Sequence, residues 1–383
     1  MTPGSSTGAG VPFNRPGPVG REAEYVLEAM RSGHLSGDGP FAKRCERMLG
    51  EELGARVLLT PSCTDALEAA ALLLDTRPGD EVIVPSFTFP STALGFVLRG
   101  ARPVFVDVRA DTLNLDETKL AGAITERTRA ILVMHYAGIA CEMDAIVEVA
   151  AARGVAIVED NAHGLFGRYR GRPLGTFGRL ATLSFHETKN FTAGEGGALV
   201  VNDPELLERA EILREKGTDR SRFFRGQVDK YSWVDLGSSY LPSELQAAFL
   251  AAQLEARVEV QRRRLEIWDR YQSGLGCWAA DNSVQLPAPG PRIEHPAHLY
   301  YILLPDLATR EAFRRHMAAR GIDALFHYVP LHLSGMGNQF GGRVGDCPVA
   351  ESVSDRLVRL PLFTDLRPAE QERVVEAALE FHA

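Results

Sequence analysis

The sequence predicts an α/β fold with two domains: a large domain built on a seven-stranded, mostly parallel sheet, and a smaller C-terminal α/β domain. Seven short apolar runs alternate with amphipathic segments between about residues 56 and 201, which is the pattern of strands covered by helices on both faces. The chain has 383 residues, of which 45% are hydrophobic. Chains of this length usually divide into two domains, each with its own hydrophobic core.

The N-terminal part of the chain is expected to form a flexible arm over residues 1–14, because its first dozen residues are rich in Gly, Ser, Thr and Pro. Two helical patterns follow within residues 16–53, separated by residues 32–40. We therefore predict a large domain over residues 15–250 and a small domain over residues 251–383.

The seven predicted strands are short runs of β-branched or apolar residues. They cover residues 56–59, 81–84, 103–106, 130–134, 155–158, 181–185 and 197–201. Between the fourth and fifth strands, apolar residues recur at helical spacing from Met143 to Ala150, and Gly154 stands where that helix would end. This strand–helix–strand pattern indicates a parallel sheet.

A long segment from Leu245 to about Tyr271 is rich in Ala, Leu, Glu and Arg, which favour helices. We predict one continuous helix there that joins the two domains. A Pro-rich loop over residues 285–296 follows, and a mixed α/β pattern continues to the C-terminus.

Charge and composition argue against several classes of protein. The formal net charge of −8 repels nucleic acids and anionic membranes. No apolar run reaches the roughly 20 residues that span a bilayer, and no signal-peptide pattern opens the chain. The five cysteines are scattered, as in proteins with reduced thiols. We therefore expect a cytoplasmic protein with no nucleic-acid or membrane partner.

Chemically active side chains follow several predicted strands, at the edge where ligands collect in open parallel sheets. Cys63 and Thr64 begin a helix whose free amides either bind an anion or form an ordinary helix start. Phe89 offers an aromatic face, unless it belongs to the core. Asp160 emerges from an apolar strand, where it either caps a turn or faces a cation.

Lys189 stands between the sixth predicted strand, which includes Ser184, and a Gly-rich turn. A lone lysine in a loop is usually solvated, but this one shares a sheet edge with an anion site, a carboxylate and an aromatic face. Pyridoxal phosphate requires a phosphate cradle, an acidic partner for its ring nitrogen, a stacking surface and a lysine that binds its aldehyde. The pattern therefore predicts this cofactor.

Four segments resemble the signature segments of the DegT/DnrJ/EryC1/StrS family of sugar aminotransferases. They cover residues 60–67, 85–92, 159–164 and 184–197. The resemblance extends over nearly the whole chain and implies the aspartate aminotransferase (type I) fold. Residues 214–246 are similar to the branch that aminates dTDP-4-keto-6-deoxyglucose at C4, in enterobacterial common antigen synthesis and in antibiotic deoxysugar pathways such as that of calicheamicin.

The resemblance implies a set of cofactor-binding residues, carried over by matching position. They are Cys63, Thr64, Phe89, Asp160, His163, Ser184, Lys189 and Ser239. Lys189 would hold the cofactor and move the proton, Asp160 would pair with the pyridine nitrogen, and His163 would lie beside the ring hydroxyl. Ser239 is a departure, because many family members have an Asn there, delivered from the partner subunit.

The resemblance also implies a homodimer with shared active sites, a dTDP-linked keto sugar as acceptor and L-glutamate as donor. Arg220, Arg222, Arg225 and Lys230 form a basic cluster that either binds the substrate's diphosphate or is a solvated loop. Tyr328 and His332 belong to residues 327–332, which resemble a family segment near the sugar nucleotide. We predict no metal site, since no nearby carboxylate or cysteine completes that segment.

Several other functions compete with a 4-keto sugar aminotransferase. Aminotransferases of 3-keto sugar nucleotides and sugar-nucleotide-sensing regulatory proteins belong to the same family. Pyridoxamine-dependent sugar dehydratases of the family have His where this chain has Lys189. A Rossmann oxidoreductase does not fit, because residues 194–197 lack the G-x-G-x-x-G pattern and precede a strand. A glutamate-dependent amination assay separates enzyme from sensor.

Overall fold

Seven apolar runs between Arg56 and Val201 form one central sheet. The computed structural model describes residues 10–382. Its strands are β1 (Arg56–Thr60), β2 (Glu81–Pro85), β3 (Arg102–Val106), β4 (Thr128–Met134), β5 (Ala156–Asp160), β6 (Arg168–Tyr169), β7 (Arg172–Pro173), β8 (Leu180–Ser184), β9 (Gly197–Val201), β10 (Ile293–Glu294), β11 (Tyr300–Leu303) and β12 (Leu357–Leu360). Each predicted strand of the sheet lies within two residues of an observed one.

Helices connect most of these strands and cover the sheet. They are α1 (Glu22–Ser32), α2 (Pro40–Leu53), α3 (Cys63–Leu73), α4 (Ser91–Leu98), α5 (Leu120–Ala123), α6 (Met143–Arg153), α7 (Leu207–Arg214), α8 (Arg220–Phe224), α9 (Glu244–Glu255), α10 (Arg257–Asp281), α11 (Leu307–Ala319), α12 (Gly335–Gln339), α13 (Pro348–Arg356) and α14 (Pro368–Leu379). Among the described residues, none of the helices is both long and apolar enough to cross a membrane.

The strand order across the central sheet is β3-β2-β4-β5-β8-β9-β1. Neighbouring strands are parallel except at β9, which runs antiparallel to both β8 and β1. The predicted seven-stranded, mostly parallel sheet is confirmed. Strand β9 reverses direction because the loop that joins it to β8 contains no crossover helix, and parallel neighbours need one.

Alternate residues along each strand pack against helices on opposite faces of the sheet. In β1, Leu58 packs in a core with α3 and α4, whereas Leu59 packs in a core with α1, α2 and α9. Ile131 and Leu132 of β4 face opposite cores in the same way. The helices hold the sheet rigid on both faces, so the loops at its carboxyl edge start from fixed positions.

The predicted continuous helix from Leu245 to Tyr271 is wrong, because the chain forms two helices that meet at Ala256. Helix α9 is buried in the core of the large domain as far as Leu254. Helix α10 contributes to the small-domain core from Ile267 onward. Only Val260 near the start of α10 still packs in the large-domain core, and the predicted domain boundary between residues 250 and 251 lies inside α9.

The N-terminal segment packs against the small domain. Residues 1–9 of the predicted flexible arm lie outside the described residues. Val11, by contrast, is buried in the small-domain core. Its backbone forms hydrogen bonds with the backbone of Gly321 and Asp323, which lie near the other end of the sequence. Residues 10–14 therefore depart from the expectation of a flexible arm, because an apolar side chain and two backbone hydrogen bonds fix them.

Candidate active site

A cavity of about 720 Å³ opens at the carboxyl edge of the central sheet. The ends of five strands contribute to it, and the small domain and the N-terminal segment close it from the other side. Eight of the sequence-predicted residues line this cavity. They are Cys63, Thr64, Phe89, Asp160, His163, Ser184, Lys189 and Tyr328. The structure thus brings together every predicted cofactor residue except Ser239.

An anion cradle lies at the start of α3. Ser62 caps this helix by accepting a hydrogen bond from the backbone N–H of Asp65 at 3.1 Å, which leaves the amides of Cys63 and Thr64 in the first turn without an intrahelical acceptor. The positive end of the helix dipole points to the same place. The Ser184 hydroxyl lines the same cavity, so these groups suit a phosphate.

Asp160 is buried at the end of β5, where it accepts hydrogen bonds from the Thr92 hydroxyl at 2.7 Å and the Ala162 amide at 3.2 Å. Burial raises the pKa of its carboxyl, while the bond from Thr92 and the nearby charge of Lys189 oppose that shift. A carboxylate held in this way pairs readily with a protonated ring nitrogen, because a buried charge is stable only with a partner.

Lys189 is the only one of the five lysines that is not exposed. Burial lowers the pKa of its amine from 10.5 to about 8, against the opposing influence of Asp160. Within residues 10–382, its amine has no hydrogen-bond or ion-pair partner. A substantial fraction of the amine is therefore neutral near physiological pH, which a nucleophile and a proton carrier both require.

His163 carries a buried ring nitrogen, Nδ1, that has no hydrogen-bond partner among the described residues. Its ring lies 4.1 Å from that of His298, centroid to centroid, and 5.9 Å from that of Tyr136. Burial keeps the pKa of His163 well below its usual value, so the ring is neutral. A neutral imidazole with an unsatisfied nitrogen can bond a ligand hydroxyl in the cavity.

The residues of this cavity fit pyridoxal phosphate. The first-turn amides of α3 suit its phosphate, the exposed face of Phe89 suits its ring, and the unpartnered groups of His163 and Lys189 suit its hydroxyl and aldehyde. Asp160 lies among them and suits its ring nitrogen. Each feature is unusual for a buried site that binds nothing, since native interiors leave few polar groups unsatisfied.

His332 does not reach the cavity, contrary to the prediction. One ring nitrogen bonds the Ser86 hydroxyl at 2.5 Å and the other the Glu351 carboxylate at 3.0 Å, so both are used inside the protein. Tyr328, four residues earlier, does line the cavity, stacked on His327 at 3.8 Å between ring centroids. Only one side of this short segment faces the cavity, and His332 lies on the other side.

Ser239 and two of the predicted arginines line a different cavity, of about 1050 Å³. Arg220 pairs with Glu215 at 2.8 Å, and Arg225 pairs with Glu211 at 2.7 Å. Arg222 pairs with Glu208 at 3.2 Å, and Lys230 is exposed and lines neither cavity. Within one chain, the structure therefore does not bring the basic cluster to Lys189.

Two residues that the sequence analysis did not identify line the cavity beside Lys189. His298 bonds the side-chain oxygen of Asn190 through Nδ1 at 2.9 Å, and its ring lies next to that of His163 at an angle of 30°. Arg359 extends from β12 of the small domain. The sequence offered a way to find Arg359, because an arginine within the apolar strand Leu357–Leu360 is expected to direct its charged group toward a cavity or an acidic partner.

Among the described residues, no group of three or more His, Cys, Asp or Glu side chains is arranged to hold a metal ion. His332 and His327 do not meet at one point, because His332 bonds Glu351 and His327 bonds the Tyr136 hydroxyl at 3.1 Å.

Comparison with known proteins identifies the family. Residues 19–379 match the model of the DegT/DnrJ/EryC1/StrS aminotransferase family. The GDP-perosamine synthase of Escherichia coli O157:H7 is 31% identical, over 97% of this chain and 99% of its own.

Two solved structures have the same fold. The aminotransferase TlmJ from Streptoalloteichus hindustanus is 32% identical with a TM-score of 0.89, over 97% of this chain and 98% of that one. The PLP-form of the putative sugar aminotransferase Spr1654 from Streptococcus pneumoniae is 30% identical with a TM-score of 0.89, over 97% of this chain and 98% of that one. The predicted type I fold is therefore confirmed. The chain belongs to the DegT/DnrJ/EryC1/StrS aminotransferase family and is a sugar aminotransferase that uses pyridoxal phosphate.

Proposed function

We propose that this member of the family transfers the amino group of L-glutamate to C4 of a nucleotide-linked 4-keto-6-deoxy sugar, with dTDP-4-keto-6-deoxyglucose as the acceptor. The observation that carries the chemistry is Lys189, a buried amine with a pKa of about 8 that shares one cavity with Asp160 and with the amides of Cys63 and Thr64. The sugar-binding part of the proposal is supported by the resemblance of residues 214–246 to the 4-aminotransferase branch.

Each chain residue in the cavity has a defined task in this reaction. Bound pyridoxal phosphate supplies an aldehyde that takes up an amino group and a ring that withdraws electrons from the neighbouring carbon. The amine of Lys189 would hold the cofactor and, once the donor's amine has replaced it, would take the proton from the donor's α-carbon. In the second half of the reaction the proton moves in the opposite direction, to the sugar carbon.

The neighbours of Lys189 control where charge resides. The carboxylate of Asp160, fixed by Thr92, keeps a proton on the ring nitrogen, so that the ring can withdraw electrons. The neutral His163 offers its unpartnered Nδ1 to the ring hydroxyl. Tyr328 and His327 form a stacked aromatic wall on the side of the small domain, where an apolar sugar face can pack.

The direct test is to incubate the holoenzyme with glutamate and a matched set of sugar nucleotides. The set comprises 4-keto and 3-keto 6-deoxy sugars on dTDP, and the 4-keto sugar on GDP. We expect amination of the dTDP-linked 4-keto sugar in preference to the others, with the position of the new amine read by NMR. Preferred amination of the 3-keto sugar or of the GDP-linked sugar would contradict the proposed substrate.

We also propose that the active unit is a homodimer in which Ser238 or Ser239 and the basic cluster of one chain serve the neighbour's cavity. In a single chain these residues lie away from Lys189. The same segment exposes large apolar side chains, including Phe224 at 69% and Trp233 at 78%, which a second subunit could cover. The five cysteines are unpaired, which supports the cytoplasm as the place of the reaction.

Subunit mixing tests this arrangement. Lys189→Ala subunits are mixed with subunits altered at Ser238 and Ser239, each inactive alone. A mixed dimer then contains one site with an intact lysine and an intact serine segment, so random pairing restores about a quarter of the sites. No recovery after mixing, with exchange of subunits verified, would contradict shared sites, as would a fully active monomer.

A further inference from the structure

Among residues 10–382, His163 is the one buried histidine whose ring has no hydrogen bond. The buried histidines are His135, His163, His298 and His332. Both ring nitrogens of His135 and of His332 are hydrogen-bonded, and one nitrogen of His298 is. No hydrogen bond to a described residue fixes the ring of His163. Its orientation therefore depends on the groups that pack against it.

The ring of His298 is the nearest aromatic neighbour of His163 in the described part of the chain. The two ring centroids are 4.1 Å apart and the ring planes differ by 30°, whereas the Tyr136 centroid lies 5.9 Å away. His163 follows β5 and His298 precedes β11, so the contact joins distant parts of the chain. A ring that is held by packing alone can turn about its side-chain bonds when its neighbour moves. The position of His298 therefore controls the direction of Nδ1 in His163.

His298 is itself fixed by hydrogen bonds. The side-chain amide of Asn190 donates to the Pro296 carbonyl at 2.8 Å, and its oxygen lies 2.9 Å from Nδ1 of His298. Because a carbonyl oxygen only accepts, the amide nitrogen of Asn190 faces Pro296, and Nδ1 of His298 must be the protonated donor. Arg264 donates to the backbone carbonyl of His298 at 2.6 Å. Both the ring and the backbone of His298 are thus held in place.

The two packed imidazoles are both neutral. Burial and the nearby charge of Lys189 keep the pKa of His163 and of His298 well below the usual value. Neutral rings can pack at this distance, whereas two imidazolium ions would repel each other. Asn190 directly follows Lys189 in the chain. A continuous set of contacts therefore runs from the Lys189 segment through Asn190 and His298 to His163.

We propose that His298, oriented by Asn190, is a positioning residue that holds the ring of His163 for its hydrogen bond to the hydroxyl of the cofactor ring. Asn190 is not part of the cavity lining, so it acts through His298. The role requires the ring of His298 and also the hydrogen bond that orients this ring. This inference rests on the proposed function only in the role given to His163, and it is independent of the sugar and of the amino donor.

The test measures recognition of the ring hydroxyl without any reaction. Two probes are bound to the cofactor-free protein: 4-deoxypyridoxine 5′-phosphate, which lacks the aldehyde, and the same compound without its ring hydroxyl. The ratio of their dissociation constants, measured by calorimetry, is the hydroxyl preference. We expect a preference of at least about fivefold in the parent, because one buried hydrogen bond is gained. His163→Phe should abolish this preference.

Variants of His298 separate its ring from the hydrogen bond that orients it. His298→Asn keeps a donor near the place of Nδ1 and removes the ring, so we expect a hydroxyl preference within about twofold of that of His163→Phe. His298→Phe keeps a ring and removes the donor, so its preference should lie between those of the parent and His298→Asn. Asn190→Ala removes the acceptor and should also give an intermediate value. In a His163→Phe background, His298→Asn should cause no further change, because both residues act through one hydrogen bond.

The matched control is His316→Asn. The ring of His316 packs against Phe381, 5.3 Å between ring centroids, and bonds the Ala377 carbonyl at 2.7 Å, outside the cavity. Its replacement removes a comparable histidine ring and should leave the hydroxyl preference unchanged. Thermal unfolding of each variant verifies that it is folded. General damage to the cavity weakens the binding of both probes equally, so it does not change the ratio.

Three results would overturn the inference. They are an unchanged hydroxyl preference in a folded His298→Asn, an unchanged preference in His163→Phe, or no preference in the parent. Neither probe is a substrate, and the amination assay with sugar nucleotides does not measure the hydroxyl preference. A wrong sugar substrate and a wrong role for His298 would therefore appear in different measurements.

Discussion

The two large cavities of this chain differ in whether the cations discussed above form salt bridges with acidic residues of the same chain. In the cavity at the sheet edge, Lys189 and Arg359 have no carboxylate within ion-pair distance among the described residues, although Asp160 lies nearby. In the second cavity, Arg214 and Arg220 each form salt bridges with acidic residues of the same chain. Both cavities are large, so size alone does not separate them.

The difference shows which charges are reserved for ligands. Exposed ion pairs contribute little to stability and exchange readily, so the paired arginines can still meet a substrate phosphate if a partner subunit brings one. An unpaired buried amine, by contrast, lowers the stability of the folded protein. Such groups are found mainly where a ligand binds or a reaction takes place. The unpaired amine of Lys189 is therefore the group that we propose as the reaction centre, whereas Arg214 and Arg220 are held by acidic residues of the same chain.

The largest effect is expected from Lys189→Ala, which removes the unpaired amine of the first cavity. Because Lys189 both holds the cofactor and moves the proton in the proposed mechanism, turnover should fall by at least about a thousandfold. Lys119→Ala, which removes a lysine outside the cavity and breaks its partly buried contact with Asp107, is the control. Residual turnover within tenfold of the parent would mean that the first cavity is not the reaction centre.

Asp160→Asn should have the next largest effect. It keeps the shape of the side chain and removes the charge that holds a proton on the ring nitrogen, so we expect turnover to fall by about a hundredfold. Cofactor affinity, measured by equilibrium dialysis, should change by less than about tenfold, because the α3 cradle is intact. Asp203→Asn, which loses a salt bridge with Arg179, is the control. An equal loss of affinity and turnover contradicts this role.

Substitutions in the basic cluster near the second cavity should have a smaller effect, which is confined to the affinity for the sugar nucleotide. If the basic cluster of a partner subunit holds the diphosphate, replacing one true ligand among Arg220, Arg222, Arg225 and Lys230 by Ala should raise the KM for the sugar nucleotide by about tenfold. The glutamate half-reaction should stay unchanged. Arg292→Ala, which pairs with Glu142 on the surface, is the control. Unchanged affinity in all four variants would make the cluster a solvated loop.

The smallest predicted effect is a shift in a pH profile. Only the neutral amine of Lys189 attacks the cofactor's aldehyde, so the rate of cofactor capture by the apoprotein should rise with pH and level off above about 8. In Asp160→Asn the midpoint should move lower, because the charge that raises the pKa of Lys189 is gone. A midpoint near the ordinary 10.5 would show that Lys189 is not buried in solution.

Local pattern in the sequence was sufficient for the sheet and for most of the cavity. The seven strands were predicted within two residues, because each is an apolar run bounded by turn residues and lies between helices. Residues that directly follow those strands, such as Asp160 and Lys189, were placed correctly because parallel strands deliver their carboxyl ends to one edge.

Features that depend on packing were not predictable in the same way. The break at Ala256 leaves no local mark in the sequence, since alanine favours a helix. The prediction that His332 lies at the substrate site was wrong, because only some side chains of this short segment face the cavity and His332 bonds Ser86 instead. Arg359 reaches the site from the small domain, more than 150 residues after Lys189 in the chain.

The most direct test of the central claim is to identify the lysine that carries the cofactor. Borohydride reduction fixes the cofactor to its lysine, and peptide mapping then identifies the labelled peptide. The chain has five lysines, Lys43, Lys119, Lys189, Lys216 and Lys230, so the assignment is unambiguous. We predict a yellow protein labelled at Lys189 alone. Label at any of the four exposed lysines, or no label on a yellow protein, would contradict it.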